Sequence, residues 1–400
     1  MKKIWERKKG IRTNERVENY TVGVDYLLDL ELLPYDIRGT MAHAKMLHKI
    51  KILNSQELQT LLLGLNKIFS LWKAGKFRIN KSQEDSSTAI EMYLTEHYGE
   101  VGKKVHTGRS RNDQVLVTAR LFSNERILEI KKEIQNLIRV IKSQIQKQGK
   151  IKMPGYTHMQ RAMPSSVGMW LGSYHDSLED DLLVLDAVAK VINQNPLGSA
   201  AGYGENTLGL DRKFTTRELN FKKVQENPMY CAFSRGKFEN MIMQAVSNVM
   251  FDVGKIANDL LLFTTKEFDF FTLPEDFKTG SSIMPQKKNY DVLELVRGNA
   301  AIFDGYQSQI NNVIKNLPSG YNRDFQLTKE PYLKGVKLAL DTIAIMALVI
   351  KNLETKKKNL ENACTGELYA TDEALKLVKA GKNFREAYQE VKEKFYQDKK

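Results

Sequence analysis

The chain has 400 residues, of which 42% are hydrophobic and 27% charged, with a formal net charge of +13. That composition supplies a large soluble core. The two cysteines, Cys231 and Cys364, argue against a disulfide framework or a cysteine metal site, and the six histidines show no HExxH-type ligand spacing.

Taken in chain order, the N-terminal MKKIWERKKG is basic, but no apolar stretch follows it and no run reaches membrane-span length, so neither a signal peptide nor a membrane segment is expected. A reducing cytoplasm fits the cysteine usage. Residues 113–148 carry Ile127, Ile130, Ile134, Leu137, Ile138, Ile141 and Ile145 at three- and four-residue steps, which predicts a long amphipathic helix ended by Gly149 and Pro154. Further long helices are predicted over 164–193, 235–267, 290–315 and 330–355. The predicted fold is all-α: an elongated central long-helix bundle over 109–355, flanked by smaller helical domains at 1–108 and 356–400. The helices at 235–267 and 330–355 are apolar on more than one face, so the bundle is expected to continue into other subunits; a monomer whose end domains cover those faces is the alternative. The lysines lie beside acidic residues, as in KKEIQ and EVKEKF, and no basic stripe with interleaved aromatics occurs, so no nucleic-acid partner is expected.

Polar segments separate these helices: HTGRSRNDQ (106–114), MPGYTHMQR (153–161), NPLGSAAGYGENTLGLDR (195–212), 274–289 and LPSGYNRDFQLTKEP (317–331). Loops of this composition at helix ends are frequent sites of binding and catalysis. In GSSIMPQKKN (280–289), Lys287 and Lys288 lie near Ser281 and Ser282, an arrangement that makes a serine alkoxide less costly and can stabilise a developing carboxylate dianion. A solvated surface loop is the competing explanation. Asn289 is predicted to cap the following helix. His158 closes a Pro-Gly turn and suits proton exchange near neutral pH; a merely hydrogen-bonded histidine is the alternative. Arg109, Ser110, Arg111 and Asn112 suit carboxylate binding, with Asn112 as a helix cap. Tyr321, Arg323, Gln326 and Lys329 offer a second polar arm. The glycine-rich GSAAGYG lacks a following GK[ST] and is not expected to bind phosphate.

Together these segments resemble the fumarase/aspartase superfamily and, within it, the argininosuccinate lyase family. GSSIMPQKKN followed by Glu294 matches the superfamily signature; HTGRSRNDQV, PGYTHMQRAMP, NPLGSAAGYG and YNRDFQ are typical of the lyase. The resemblance runs from about Tyr35 to Tyr388. It implies reversible cleavage of argininosuccinate to arginine and fumarate in arginine biosynthesis, with no metal or organic cofactor, by a cytoplasmic homotetramer whose sites draw on three subunits. By the same resemblance, Ser281 removes a proton from carbon, and Lys287 and Asn289 stabilise the dianion. His158 serves as acid-base or positioning residue, held by Glu294. Ser110, Arg111, Asn112 and Thr157 bind the succinyl carboxylates, and Tyr321, Gln326 and Lys329 bind the rest of the substrate. The chain departs from the family pattern at Ser87 (usually His), Asp25 (often Ser) and Tyr290 (usually Pro), and its C-terminus is short. Two other functions fit the residues: a lyase-shaped protein without catalysis, and a sister lyase acting on another succinyl adduct.

Overall fold

A computed structural model describes residues 14–397; the basic N-terminal decapeptide lies outside the described residues. In chain order the main helices are α1 (Glu15–Val22), α2 (Asp25–Lys49), α3 (Ser55–Lys73), α4 (Ser86–Tyr98), α5 (Arg111–Gln148), α6 (Val167–Ile192), α7 (Lys237–Phe263), α8 (Asp291–Ile314), α9 (Lys329–Lys351), α10 (Ala370–Lys379) and α11 (Phe384–Gln397). Two antiparallel hairpins interrupt them: β1 (Lys152–Thr157) with β2 (Gln160–Ser166), and β3 (Thr279–Gly280) with β4 (Lys288–Asn289). The protein is mostly helical. The chain divides into two compact units.

Among the described residues, the first unit comprises 14–130, 184–247 and 303–338. Its α2–α4 layer closes around Leu33, Ile37, Leu47, Leu61, Leu65, Ile90 and Leu94, all essentially inaccessible to solvent. Gly64 permits the close approach of α3 and α4, since a Cβ there would sit 2.5 Å from Leu94 Cδ2. Pro34 lies inside α2 and cannot donate to the Leu30 carbonyl one turn back. The indole Nε1 of Trp72 donates to that carbonyl instead, at 2.7 Å, so α2 runs on through its proline.

Among the described residues, the second unit comprises 131–183, 248–302 and 339–397. Trp170, Phe263 and Phe271 pack edge-on and tilted against one another, and Trp170 Nε1 and Tyr174 Oη both donate to Asp259 at 2.9 and 2.6 Å. Gln144 Nε2 donates to the Ile350 and Lys351 carbonyls at 2.7 and 2.8 Å, satisfying the open C-terminus of α9. At the base of the β1–β2 hairpin the Gly168 amide donates to the Gly149 carbonyl, a contact so close that a Cβ on Gly168 would meet that oxygen at 2.9 Å.

Three local expectations are corrected. Residues 153–161 form most of a β-hairpin, not a bare turn, with a register shift between Pro154 and Tyr156. Asn289 is paired to Thr279 in a strand, so it does not cap α8, which begins at Asp291. The residue flanking the start of α5 is Ser110: its hydroxyl accepts the Asn112 amide at 3.3 Å, while Asn112 is already helical.

Candidate active-site groups

In the first unit the start of α5 is fixed from two sides. The amide of Ser110 donates to Asp113 Oδ1 at 2.9 Å. Asp113 Oδ2 accepts the amides of Gly198 and Ala200 at 2.9 and 3.3 Å, so one buried carboxylate ties the glycine-rich loop to the Ser110–Asn112 turn. Burial pushes its carboxyl up, and Arg109 and the three amides work against that. Arg111 Nη2 donates to Thr88 Oγ1 at 2.6 Å, and Nη1 lies 3.4 Å from Asp85 and 3.5 Å from Glu84. Asp85 is also the N-cap of α4, accepting the Thr88 amide at 2.8 Å. The guanidinium is therefore aimed by the first turn of a neighbouring helix.

Lys329, the first residue of α9, is buried, with Nζ 2.5 Å from Asp29 and 2.9 Å from Asp25. Burial opposes its charge, but Asp29 and Asp25 more than offset that and its pKa is raised. Asp29 also accepts the Ser86 amide at 2.9 Å. Ser86 and Ser87 both donate to Asp36, at 2.7 and 2.8 Å, inside the same buried polar layer. Thus Ser87 stands in a satisfied hydrogen-bond network. Gln326 Nε2 donates to the carbonyls of Thr21 and Val22, and Arg323 Nη2 to Thr21, holding the end of α1. A cavity of ≈ 60 Å³ is lined by Asp25, Arg111, Asn112, Arg235, Tyr321 and Gln326 among others. The structure therefore brings four of the sequence-predicted binding residues to one wall, with Ser110 and Lys329 adjoining.

In the second unit, β3 and β4 form the neck of the 281–287 loop. Glu275 accepts from Lys278 at 2.8 Å and also from Lys288; these two lysines hold its carboxyl down at about 2. Thr279 Oγ1 donates to Asp291 at 2.6 Å on the other side. Within the loop, Ser281 Oγ accepts the amides of Met284 and Ile283 at 3.1 and 3.4 Å. Lys288 is engaged with Glu275, whereas Lys287 makes no ion pair among the described residues and is exposed. The loop thus carries a hydroxyl facing two N–H donors, with one unneutralised ammonium nearby in sequence.

Thr157 and His158 are exposed at the tip of the β1–β2 hairpin. His158 and Met159 both have positive φ, 52° and 60°, the backbone of a tight two-residue hairpin turn built without glycine. Glu294 is exposed on the first turn of α8, and neither a hydrogen bond nor an ion pair joins it to His158 within one chain. Among the described residues no group of three or more His, Cys, Asp or Glu side chains is arranged to hold a metal ion. No helix there is long and apolar enough to cross a membrane.

Sequence reasoning missed Arg235, the Asp113 tie and the Glu275 clasp. Arg235 had one legible signal: a cation just before the N-terminus of a long apolar helix, where the helix dipole disfavours it. Asp113 and Glu275 act through partners far along the chain or on a second strand, which no local pattern reports.

A family model described as a lyase matches residues 11–303. The argininosuccinate lyase of Thermotoga neapolitana is 40% identical over 397 residues, covering 99% of both chains. That of Phocaeicola vulgatus is 41% identical over 389 residues, covering 97% of this chain and 86% of its own. Among solved structures, EDDS lyase in complex with formate superposes with a TM-score of 0.81 at 26% identity, covering 96% of this chain and 76% of that one. The class II fumarase of Schistosoma mansoni, at 18% identity and a TM-score of 0.76 over 95% of this chain and 93% of that one, shares the fold.

Proposed function

The chain belongs to the argininosuccinate lyase family, and from that premise we propose that it cleaves argininosuccinate reversibly to arginine and fumarate. Ser281, as the alkoxide, removes the proton from the carbon next to a substrate carboxylate. The electron pair moves into that carboxylate as a dianion, and the neighbouring C–N bond then breaks. The guanidine nitrogen leaves with a proton, which His158 supplies, and fumarate remains. The observation that carries this reading is the pair of amide donors on Ser281 Oγ, from Met284 at 3.1 Å and Ile283 at 3.4 Å. A hydroxyl is a very weak acid in water; two preorganised N–H groups and the nearby Lys287 lower the cost of its anion. Lys287 is suited to the dianion because Glu275 already neutralises Lys288. Asn289 adds a neutral donor from the loop neck.

Ser110, Arg111, Asn112 and Thr157 hold the succinyl carboxylates, with Arg111 offering a planar fork aimed by Thr88. Tyr321, Gln326 and Lys329 hold the other end, and Glu294 orients His158 across subunits. The working form is a homotetramer in the cytoplasm, with 109–355 as its central bundle and 1–108 and 356–400 as flanking domains. Exposed apolar side chains in the second unit support such burial: Phe251 (62%), Leu295 (66%) and Ile302 (50%) are far too open for an isolated bundle. The test is purified protein with argininosuccinate, followed by fumarate absorbance and by mass in solution. Fumarate release from a tetramer is expected; binding without turnover contradicts the reading.

A further inference from the structure

β3 and β4 make a ladder of two residue pairs, Thr279 with Asn289 and Gly280 with Lys288. A ladder that short is too weak to order the 281–287 loop by itself. Side chains complete the neck. Lys278, on the entry side, has its side chain only 12% exposed and donates to Glu275 at 2.8 Å. Its ammonium also lies 5.8 Å from the centre of the Tyr290 ring, on the exit side. Glu275 in turn accepts from Lys288, again on the exit side. The Tyr290 hydroxyl and Thr272 Oγ1 share a hydrogen bond at 3.2 Å, and Thr272 pairs with Glu354 in a short antiparallel ladder. Every one of these residues belongs to the second unit.

The links between the two ends of the loop differ in strength. The Lys288 and Glu275 side chains are 58% and 67% exposed, so water and salt screen that pair. The Thr279–Asp291 bond is exposed as well. Lys278 is shielded, and an ammonium over an aromatic face is held most firmly where water is excluded. The Lys278–Tyr290 contact is therefore the most durable of the side-chain links across the neck. Proline, usual at position 290 in the family, fixes φ through its own ring and needs no such contact. Tyr290 lacks that constraint, and its side chain holds the backbone instead. The amides that meet Ser281 Oγ come from Met284 and Ile283, inside the loop, so the surroundings of the hydroxyl depend on a closed neck.

We propose that Lys278 and Tyr290 are positioning residues for the proton abstraction assigned to Ser281. Their contact fixes both ends of the 281–287 loop, so that Ser281, Lys287 and Asn289 are presented in one arrangement. The proposal rests on the lyase reading. Both residues act through the loop and not on the substrate.

The test joins steady-state kinetics on argininosuccinate with hydrogen exchange of the peptide spanning 279–290, in the full-length protein. Tyr290→Ala and Lys278→Met are each expected to lower kcat about five- to tenfold and to leave KM within about twofold, because neither residue is among those that hold the succinyl or amine ends. Exchange in the peptide is expected to quicken about fivefold, with the rest of the second unit unchanged. Tyr290→Phe keeps the ring and Lys278→Arg keeps a cation over it; each is expected to retain about half of kcat or more. Combining Tyr290→Ala with Lys278→Met is expected to cost no more than about twice the larger single loss, since both remove one contact. Single losses that multiply in the double variant, a rise in KM in place of the fall in kcat, or a fall in kcat without quickened exchange overturns the proposal. So does quickened exchange with kcat unchanged. Exchange needs no turnover: if the unaltered protein does not cleave argininosuccinate, the lyase reading fails, and local quickening in both variants still shows the Lys278–Tyr290 link holding the loop.

Discussion

Asp113 and Gly198 are joined by a 2.9 Å hydrogen bond from the glycine amide to a fully buried carboxylate. The same carboxylate receives the Ser110 amide through its other oxygen. The placement of Ser110, Arg111 and Asn112 therefore depends on a side chain that bridges their turn to the glycine-rich loop.

Asp113→Ala removes the acceptor of three amides, each lost partner costing about 1–3 kcal/mol where water cannot replace it. Steady-state kinetics on argininosuccinate are expected to show KM raised roughly tenfold by the misplaced turn, with a smaller change in kcat. Asp113→Asn keeps one carbonyl acceptor and is expected to lie between; if Asp113→Ala does not fold, this variant carries the test. An unchanged KM for both would show that the tie does not position the binding turn.

The hairpin tip gives a stability prediction. Met159 has φ 60° and is 68% exposed, so its side chain contributes little burial. A left-handed L-residue costs roughly 1–2 kcal/mol, part of which glycine's unfolded-state entropy cancels. Met159→Gly is expected to stabilise the protein by about 0.5 kcal/mol in denaturant unfolding, with catalysis retained. Destabilisation would mean that the Met159 side chain packs in the working assembly.

How far the sequence reaches is plain from these elements. The long helices were legible because Ile127, Ile130, Ile134 and Ile141 recur with helical period and are all buried. The β1–β2 hairpin was not, because His158 and Met159 replace the Asn-Gly that usually marks such a turn, and a register shift breaks the strand alternation. Asn289 reads as a cap from its spacing, yet cross-strand pairing with Thr279 claims its backbone. Arg111, Asn112, Tyr321 and Gln326 were each recognisable as polar loop residues, but their common cavity depends on tertiary packing. Arg235 falls in the same class: its place on the cavity wall exists only in three dimensions.

Asp181 supplies a pH prediction. Burial, then Asp252 and Asp180, raise its carboxyl to about 6, and its Oδ2 has no hydrogen-bond partner. Its unfolded value is near 3.9. A raised carboxyl destabilises the fold progressively as pH climbs from the unfolded value to the folded one, and fully above it. Asp181→Asn removes the charge at every pH. The stability gain of this variant is therefore expected to grow between about pH 4 and pH 6 and to level off above. Thermal unfolding across that range measures it; a gain independent of pH would place the charge penalty elsewhere.

The central claim is that the Ser281 hydroxyl, held by the Met284 and Ile283 amides, is the base that takes a proton from carbon. The direct measurement is the rate of fumarate release from argininosuccinate by the unaltered protein and by Ser281→Ala, with substrate binding measured on both. The account predicts that binding persists while the rate falls about 100- to 10,000-fold, the range for loss of a positioned acid-base group. A Ser281→Ala rate equal to that of the unaltered protein would contradict it.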